Sequence, residues 1–220
     1  MKIPTLDDLS HHGADRTDAS NQFRLKWGLG RPYFLYAGRI EPAKGSDWLF
    51  RRFLDFAETS SDEVDLVLIG EAQTPIPDSN RIRFLGALDE KEKTAAYLGC
   101  SAFIHPSLYE SFSISLLEAF GMGRPAIVNS GCAVLKGHVD RSGGGFAVSG
   151  QADFNSAATE ILKTGCRDKG IAGYHYVRDN FQWENVERAY GELIDSLLSR
   201  PGAAIKSQSS RALSQKSTLA

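Results

Sequence analysis

AFIHPSLYESFSISLLEAFGMGRPAIV, residues 102–128, contains two short apolar runs separated by a turn and a segment of helical period. AFIHP (102–106) and PAIVNS (125–130) read as strands, and ISLLEAFGMG (114–123) reads as the helix between them. The strands are continuously apolar rather than alternating, which is the pattern of strands buried on both faces of a parallel sheet. The same rhythm extends outward in both directions. YFLYAGR (33–39), VDLVLIG (64–70) and RIRFLG (81–86) read as strands, and WLFRRFLDFAE (48–58) and EKEKTAAYLG (90–99) as helices. Further helices are expected around 153–164, 167–180 and 183–199. Strands and helices alternating at these lengths predict a doubly wound α/β domain with a parallel sheet, and such a sheet binds its ligands at the carboxyl ends of its strands.

The bulk composition narrows the function. The chain has 220 residues, 42% hydrophobic and 24% charged, with net charge −2. That balance gives no long-range attraction for nucleic acid or an anionic membrane surface. No apolar run is long enough for a transmembrane segment, and MKIPTLDDL lacks the apolar core of a signal peptide. Three widely spaced cysteines, Cys100, Cys132 and Cys166, have no metal-knuckle pattern and suit reduced thiols in a cytoplasmic protein. Residues 1–20 are polar and read as a connector, 21–199 as the folded domain. The stretch 200–220, rich in Ser, Ala and Gln, reads as a disordered tail.

Three strand ends carry chemistry. GRIEPAKG (38–45) places Arg39 and Lys44 on a glycine-bounded turn after the first strand. A guanidinium can grip a phosphate through paired hydrogen bonds and a lysine adds a compact charge. The pattern suits a surface turn with two solvated cations as well. At the second strand end, the unpaired backbone amides of Phe112, Ser113 and Ile114 are expected to face the sheet as a phosphate seat. Glu110 stands just outside that seat, and Glu118 follows eight positions later, roughly 10 Å along the axis. Carboxylates so far apart are no close acid–base pair. They suit hydroxyls at opposite ends of an elongated polyhydroxylated ligand, or one glutamate serving the helix dipole and one facing solvent. The third strand end, RFLGALDEKEK, offers the backbone of Gly86 to Leu88.

GRIEPAKG, RIRFLG, the ESFSISLLEA segment with its E-x7-E spacing and the following GMGRPAIV together resemble the C-terminal, donor-binding domain of retaining GT-B glycosyltransferases. The nearest group is the large family-four class acting on nucleotide sugars. The resemblance runs from about Phe34 to Leu197, with FQWENVERAYGELI similar to the closing helix of those enzymes. It implies a Rossmann-like sheet forming one half of a GT-B architecture. It further implies that Arg39 and Lys44 hold the donor diphosphate as leaving group, with Gly38 at the start of their turn. Glu110 would accept from hydroxyls of the transferred sugar, and the groups of Ser111, Phe112, Ser113 and Ile114 would lie near the sugar and distal phosphate. Glu118 would bind the ribose, and Leu88 would line the nucleobase. The donor would be a nucleoside diphosphate sugar, with no cofactor and no metal ion.

The sequence departs from the family in three places. Ser113 stands where a glycine is usual, adding a Cβ and a hydroxyl to the expected sugar pocket. NSGCAVLKGHVDRSGGG (129–145) replaces a Gly-Gly and a glutamate; Cys132 and His138 within it read as structural, and Gly143–Gly145 as a turn. No counterpart of the acceptor-binding domain is expected in this chain, since the match begins almost at the start and HHGAD resembles the interdomain junction. The chain is therefore expected to be an excised domain, a truncated product, or a subunit needing a separate acceptor-binding partner. A non-catalytic nucleotide-sugar sensor or scaffold is the rival reading, and an intact set of Arg39, Lys44, Glu110 and Glu118 argues against it. A dehydrogenase domain would require a G-x-G-x-x-G turn where GRIEPAKG stands.

Overall fold

The computed structural model describes residues 13–199. Helix α1 spans Gly13–Lys26 and leads to β1 (Tyr33–Ala37), a 3₁₀ turn (Pro42–Lys44), α2 (Ser46–Thr59), β2 (Asp65–Ile69) and β3 (Ile82–Phe84). Next come α3 (Glu90–Gly99), β4 (Ala102–His105), α4 (Ile114–Gly121), β5 (Ala126–Asn129) and α5 (Ala133–Ser142). Strand β6 (Gly145–Val148), α6 (Gln151–Thr164), α7 (Arg167–Asn180) and α8 (Trp183–Leu198) complete the order. The chain divides into two units after Gln182. The second begins with α8, an amphipathic helix with no buried residue and with Trp183, Tyr190 and Leu198 exposed.

The six strands form one parallel sheet in the order β3-β2-β1-β4-β5-β6, the doubly wound arrangement expected from the sequence. Alternate strand residues supply two cores. Tyr33, Leu35, Val67 and Phe103 face a cluster with Phe23, Tyr97, Leu116 and Phe120, drawn from α1, α3 and α4. Phe34, Tyr36, Leu66 and Ile104 face a second cluster with Phe53 and Phe56 of α2 and Phe154 of α6. Side chains of this size contribute about 1.5–3 kcal/mol each on full burial. These cores hold the strands rigid while leaving their carboxyl ends free for loops. Strand order reverses between β1 and β4, which opens a crevice at the ends of those two strands.

Two expected segments differ from what is observed. Residues 13–20 of the polar stretch read as a connector lie in α1, and residues 1–12 of it fall outside the described residues. The burial of α1 rests on Phe23, with Trp27 just beyond its end, too few apolar positions to show a period. The 129–145 segment is also more regular than expected. It carries α5, in which buried His138 interrupts the apolar face, and the start of β6, a strand of four residues. Gly143 does turn the chain, with φ 65° at the end of α5. The stretch 200–220 lies outside the described residues.

Candidate functional site

Two loops meet at the switch point, held together by close backbone approach. Gly45 ends the 3₁₀ turn with φ 81°, and a Cβ there would lie 2.5 Å from the Pro106 carbonyl oxygen, so only glycine fits. Ser107 Oγ donates to the Lys44 carbonyl at 3.2 Å, and Asn129 Nδ2 donates to the Pro106 carbonyl at 3.0 Å. Within the first loop the Tyr36 hydroxyl donates to the Arg39 carbonyl at 2.6 Å, anchoring the turn to β1.

This closure brings Lys44 and Glu110 into contact although 66 positions separate them. Lys44 Nζ donates to Glu110 Oε1 at 2.8 Å, and His105 Nε2 lies 3.8 Å from the same oxygen. Burial works against ionising Glu110, but Lys44, the neighbouring His105 and a hydrogen bond from Ser107 together hold its carboxyl below the usual range. His105 is buried, its Nδ1 has no hydrogen-bond partner, and burial with help from Lys44 moves its pKa down to about 4 against the pull of Glu110. The imidazole is therefore neutral at pH 7. Arg39 is exposed on the same turn and pairs with Glu41 at 3.1 Å. Both cations thus already face carboxylates.

The helix start differs in detail from expectation. Helix α4 begins at Ile114 with Ser113 as its N-cap, so the amides of Ser113, Ile114, Ser115 and Leu116 have no partner within the helix, while Phe112 belongs to the preceding loop. Ser113 takes the left-handed conformation, φ 65° and ψ 68°, rather than the extended one of a capping residue; its side chain makes no cap and its buried Oγ has no partner. Ser111, Phe112 and Ile114 are exposed around it. The Phe112 carbonyl lies 3.0 Å from His138 Nε2, and the Tyr176 hydroxyl lies 2.9 Å from His138 Nδ1. Phe112 also packs edge-on against Phe181. Both ring nitrogens of His138 are thus engaged in bracing the loop, which gives His138 a structural part and leaves no Cys132–His138 pair.

Glu118 sits two turns down α4 in different company. Lys93 Nζ donates to its Oε1 at 3.0 Å and the Tyr97 hydroxyl donates to its Oε2 at 3.0 Å. These groups lie beside a cavity of about 260 Å³ lined by Gly38, Gly70, Leu88, Lys93, Tyr97 and Glu118, among others. Gly70 lies so close to the Gly38 carbonyl that a Cβ would fall 2.1 Å from its oxygen. The cavity therefore opens between the ends of β1, β2 and α4. Sequence reading placed Gly38, Leu88 and Glu118 in the site but missed Lys93, Tyr97 and His105. Lys93 and Tyr97 are four apart, hence on one face of α3, but Lys93 is masked by the charged run EKEK.

A family model described as "Glycosyl transferases group 1" matches residues 31–164, which include both loops and both glutamates. The chain belongs to this family. The glycogen synthase of Thermus thermophilus is 26% identical over 187 residues, covering 80% of this chain and 41% of that protein. Among solved structures, the Anabaena HepE protein in complex with UDP-glucose superimposes with a TM-score of 0.68 at 19% identity, over 81% of this chain and 53% of that one. The C-terminal domain of a group 1 glycosyl transferase from Francisella tularensis gives a TM-score of 0.60 at 18% identity, over 74% of this chain and 92% of that domain. The Rossmann-like sheet is thus the C-terminal half of a GT-B architecture, as the resemblance implied. The chain spans less than half the length of the glycogen synthase. No described helix is long and apolar enough to cross a membrane, and all three cysteines are free and buried.

Proposed function

We propose that the chain is the nucleotide-sugar-binding half of a retaining glycosyltransferase, moving a hexose-type sugar from a nucleoside diphosphate sugar to a hydroxyl acceptor. The observation carrying this reading is that two half-buried glutamates each stand beyond a strand end, each held by a lysine. Glu110 lies against Lys44 at the switch point, and Glu118 lies beside the 260 Å³ cavity. In this reading Arg39, Lys44 and the α4 N-terminus take the charge that grows on the departing diphosphate, fixed groups aimed where charge develops. The diphosphate replaces Glu41 as the partner of Arg39 and shares Lys44 with Glu110. Glu110 then accepts from sugar hydroxyls, and Glu118 from the ribose. Gly38 and Leu88 border the nucleoside, and the loop from Ser111 to Ile114 borders the sugar. Two cations in this position serve the diphosphate without a metal ion or other cofactor.

The acceptor site and the attacking hydroxyl belong to a separate domain or subunit, in keeping with the fraction of the relatives that this chain spans. A cytoplasmic setting accords with its three unpaired thiols. Calorimetry against uridine, guanosine and adenosine diphosphates tests the binding. One of the three should bind, and Arg39→Ala and Lys44→Ala should each weaken it by about 1.5–3 kcal/mol. They should leave the matching nucleoside nearly unaffected. Equal losses for nucleoside and diphosphate, or a strict requirement for a divalent cation, would contradict the reading.

A further inference from the structure

We propose that Lys93, with Tyr97, is the positioning residue that aims Glu118 at a vicinal diol and so sets the preference of this site for ribonucleotides. The inference rests on the donor-site reading above. Helix α3 presents Lys93 and Tyr97 one turn apart, and each reaches a different oxygen of Glu118 at 3.0 Å. Lys93 is braced in turn by Glu90 at 3.0 Å, and the Tyr97 hydroxyl lies 3.3 Å from the Ser115 carbonyl. The carboxylate, carried on α4, is therefore held at both oxygens by donors from a second helix, α3, rather than swinging on its own side chain. A carboxylate offers about four acceptor positions, two per oxygen. One donor at each oxygen leaves capacity at each for one more. Two adjacent hydroxyls are the ligand that matches this remainder.

The donors are suited to the task. Burial pushes the Tyr97 hydroxyl well above its ordinary pKa and Glu118 adds to the shift, so it stays protonated. Burial works against charge on Lys93, but its bonds to Glu90 and Glu118 raise its pKa overall, so it stays cationic. This role differs from general attraction of a diphosphate. A merely attractive lysine would help every diphosphate equally, whereas a positioning lysine helps only ligands that carry the diol.

The experiment measures affinities of the full 220-residue chain for uridine, guanosine and adenosine diphosphates and their 2′,3′-dideoxy counterparts. The ribo form of the base that binds should be preferred by at least about tenfold, the scale of one charge-assisted hydrogen bond. Glu118→Ala should abolish that preference. Lys93→Met should remove most of it while changing dideoxy affinity little, Lys93→Arg should restore part, and Tyr97→Phe should show a smaller loss of the same kind. Thermal melts identify any variant that fails to fold. Should Lys93→Met be one, Tyr97→Phe and Lys93→Gln supply the same ratio. A ribo preference that survives these variants, or equal losses for ribo and dideoxy ligands, would overturn the positioning role while leaving the donor site standing. A preference that survives Glu118→Ala would instead overturn the placement of the ribose, and the inference with it.

Discussion

The two glutamates of the crevice are built in opposite ways. Glu118 stands on a helix, and its donors come from a second helix whose start is capped by Asp89, which accepts from the Glu92 amide at 2.8 Å. Glu110 stands on a loop among strained or unsatisfied groups: Ser113 at φ 65°, its buried hydroxyl without a partner, and the equally partnerless Nδ1 of His105. Sites on rigid elements hold their geometry with little strain, whereas loops hold theirs only when the surroundings over-determine them. In the proposed reading, the rigid end of the site is the one at the cavity and the strained end is the one at which the bond to the sugar would break.

The largest effect expected from this contrast is at the junction holding the loop end closed. Gly45→Ala combines a left-handed backbone with a clash against the Pro106 carbonyl and should destabilise the domain by about 2–4 kcal/mol in denaturant unfolding. A substitution at an exposed position of α3, Lys91→Ala, should shift stability by less than about 0.5 kcal/mol. If the two cost the same, the loop end is no more constrained than the helix end.

The next effect is a pH dependence carried by the loop end alone. His105 titrates near 4 when folded, against an ordinary value of 6.5, so between these pH values the unfolded chain binds more protons than the folded one. Stability is complete above about pH 6.5 and should fall, by a sum on the order of 2–3 kcal/mol, as the pH drops toward 4. Glu110, whose pKa is lowered, acts in the same direction further down, losing its contribution as it protonates below its ordinary 4.5. His105→Phe should flatten the upper part of this slope in urea melts at stepped pH, and an unchanged slope would show that the buried imidazole is not its source.

Ser113→Gly should give a smaller effect at the loop end, of the opposite sign. Removing the Cβ relieves a left-handed residue and deletes an unsatisfied hydroxyl, which should raise stability by about 1 kcal/mol despite the greater freedom of glycine when unfolded. A lower melting temperature would mean that the hydroxyl has a partner in solution and that the loop end is less strained than its geometry indicates.

The same contrast marks what could be read from the sequence. The first five strands and the helices from α2 to α4 follow from apolar runs such as YFLYA and DLVLI, whose burial is continuous, whereas the four-residue β6 and the order of the sheet do not. Helix α1 was hidden because it buries so few side chains, and α5 because a core histidine interrupts its apolar face. Arg39, Lys44, Glu110 and Glu118 could be chosen as candidates from motif spacing, because each stands in the loop or helix that follows a strand. The groups that hold them could not. The contact of Lys44 with Glu110 depends on Gly45 meeting Pro106, and that of Lys93 with Glu118 on how two helices pack. Such contacts are set by tertiary geometry and leave no periodic trace.

The central claim is that Glu110 reads the sugar and Glu118 the ribose, and calorimetry with a nucleoside diphosphate and its matching nucleotide sugar tests it most directly. Glu118→Ala should weaken both ligands alike, by about 1.5–3 kcal/mol for a lost charged acceptor. Glu110→Ala, once circular dichroism shows it folded, should leave the diphosphate unchanged and remove only the additional affinity of the nucleotide sugar. If Glu110→Ala weakens the bare diphosphate as much as the nucleotide sugar, the carboxylate serves Lys44 and the loop rather than a hexose, and the account of this crevice fails.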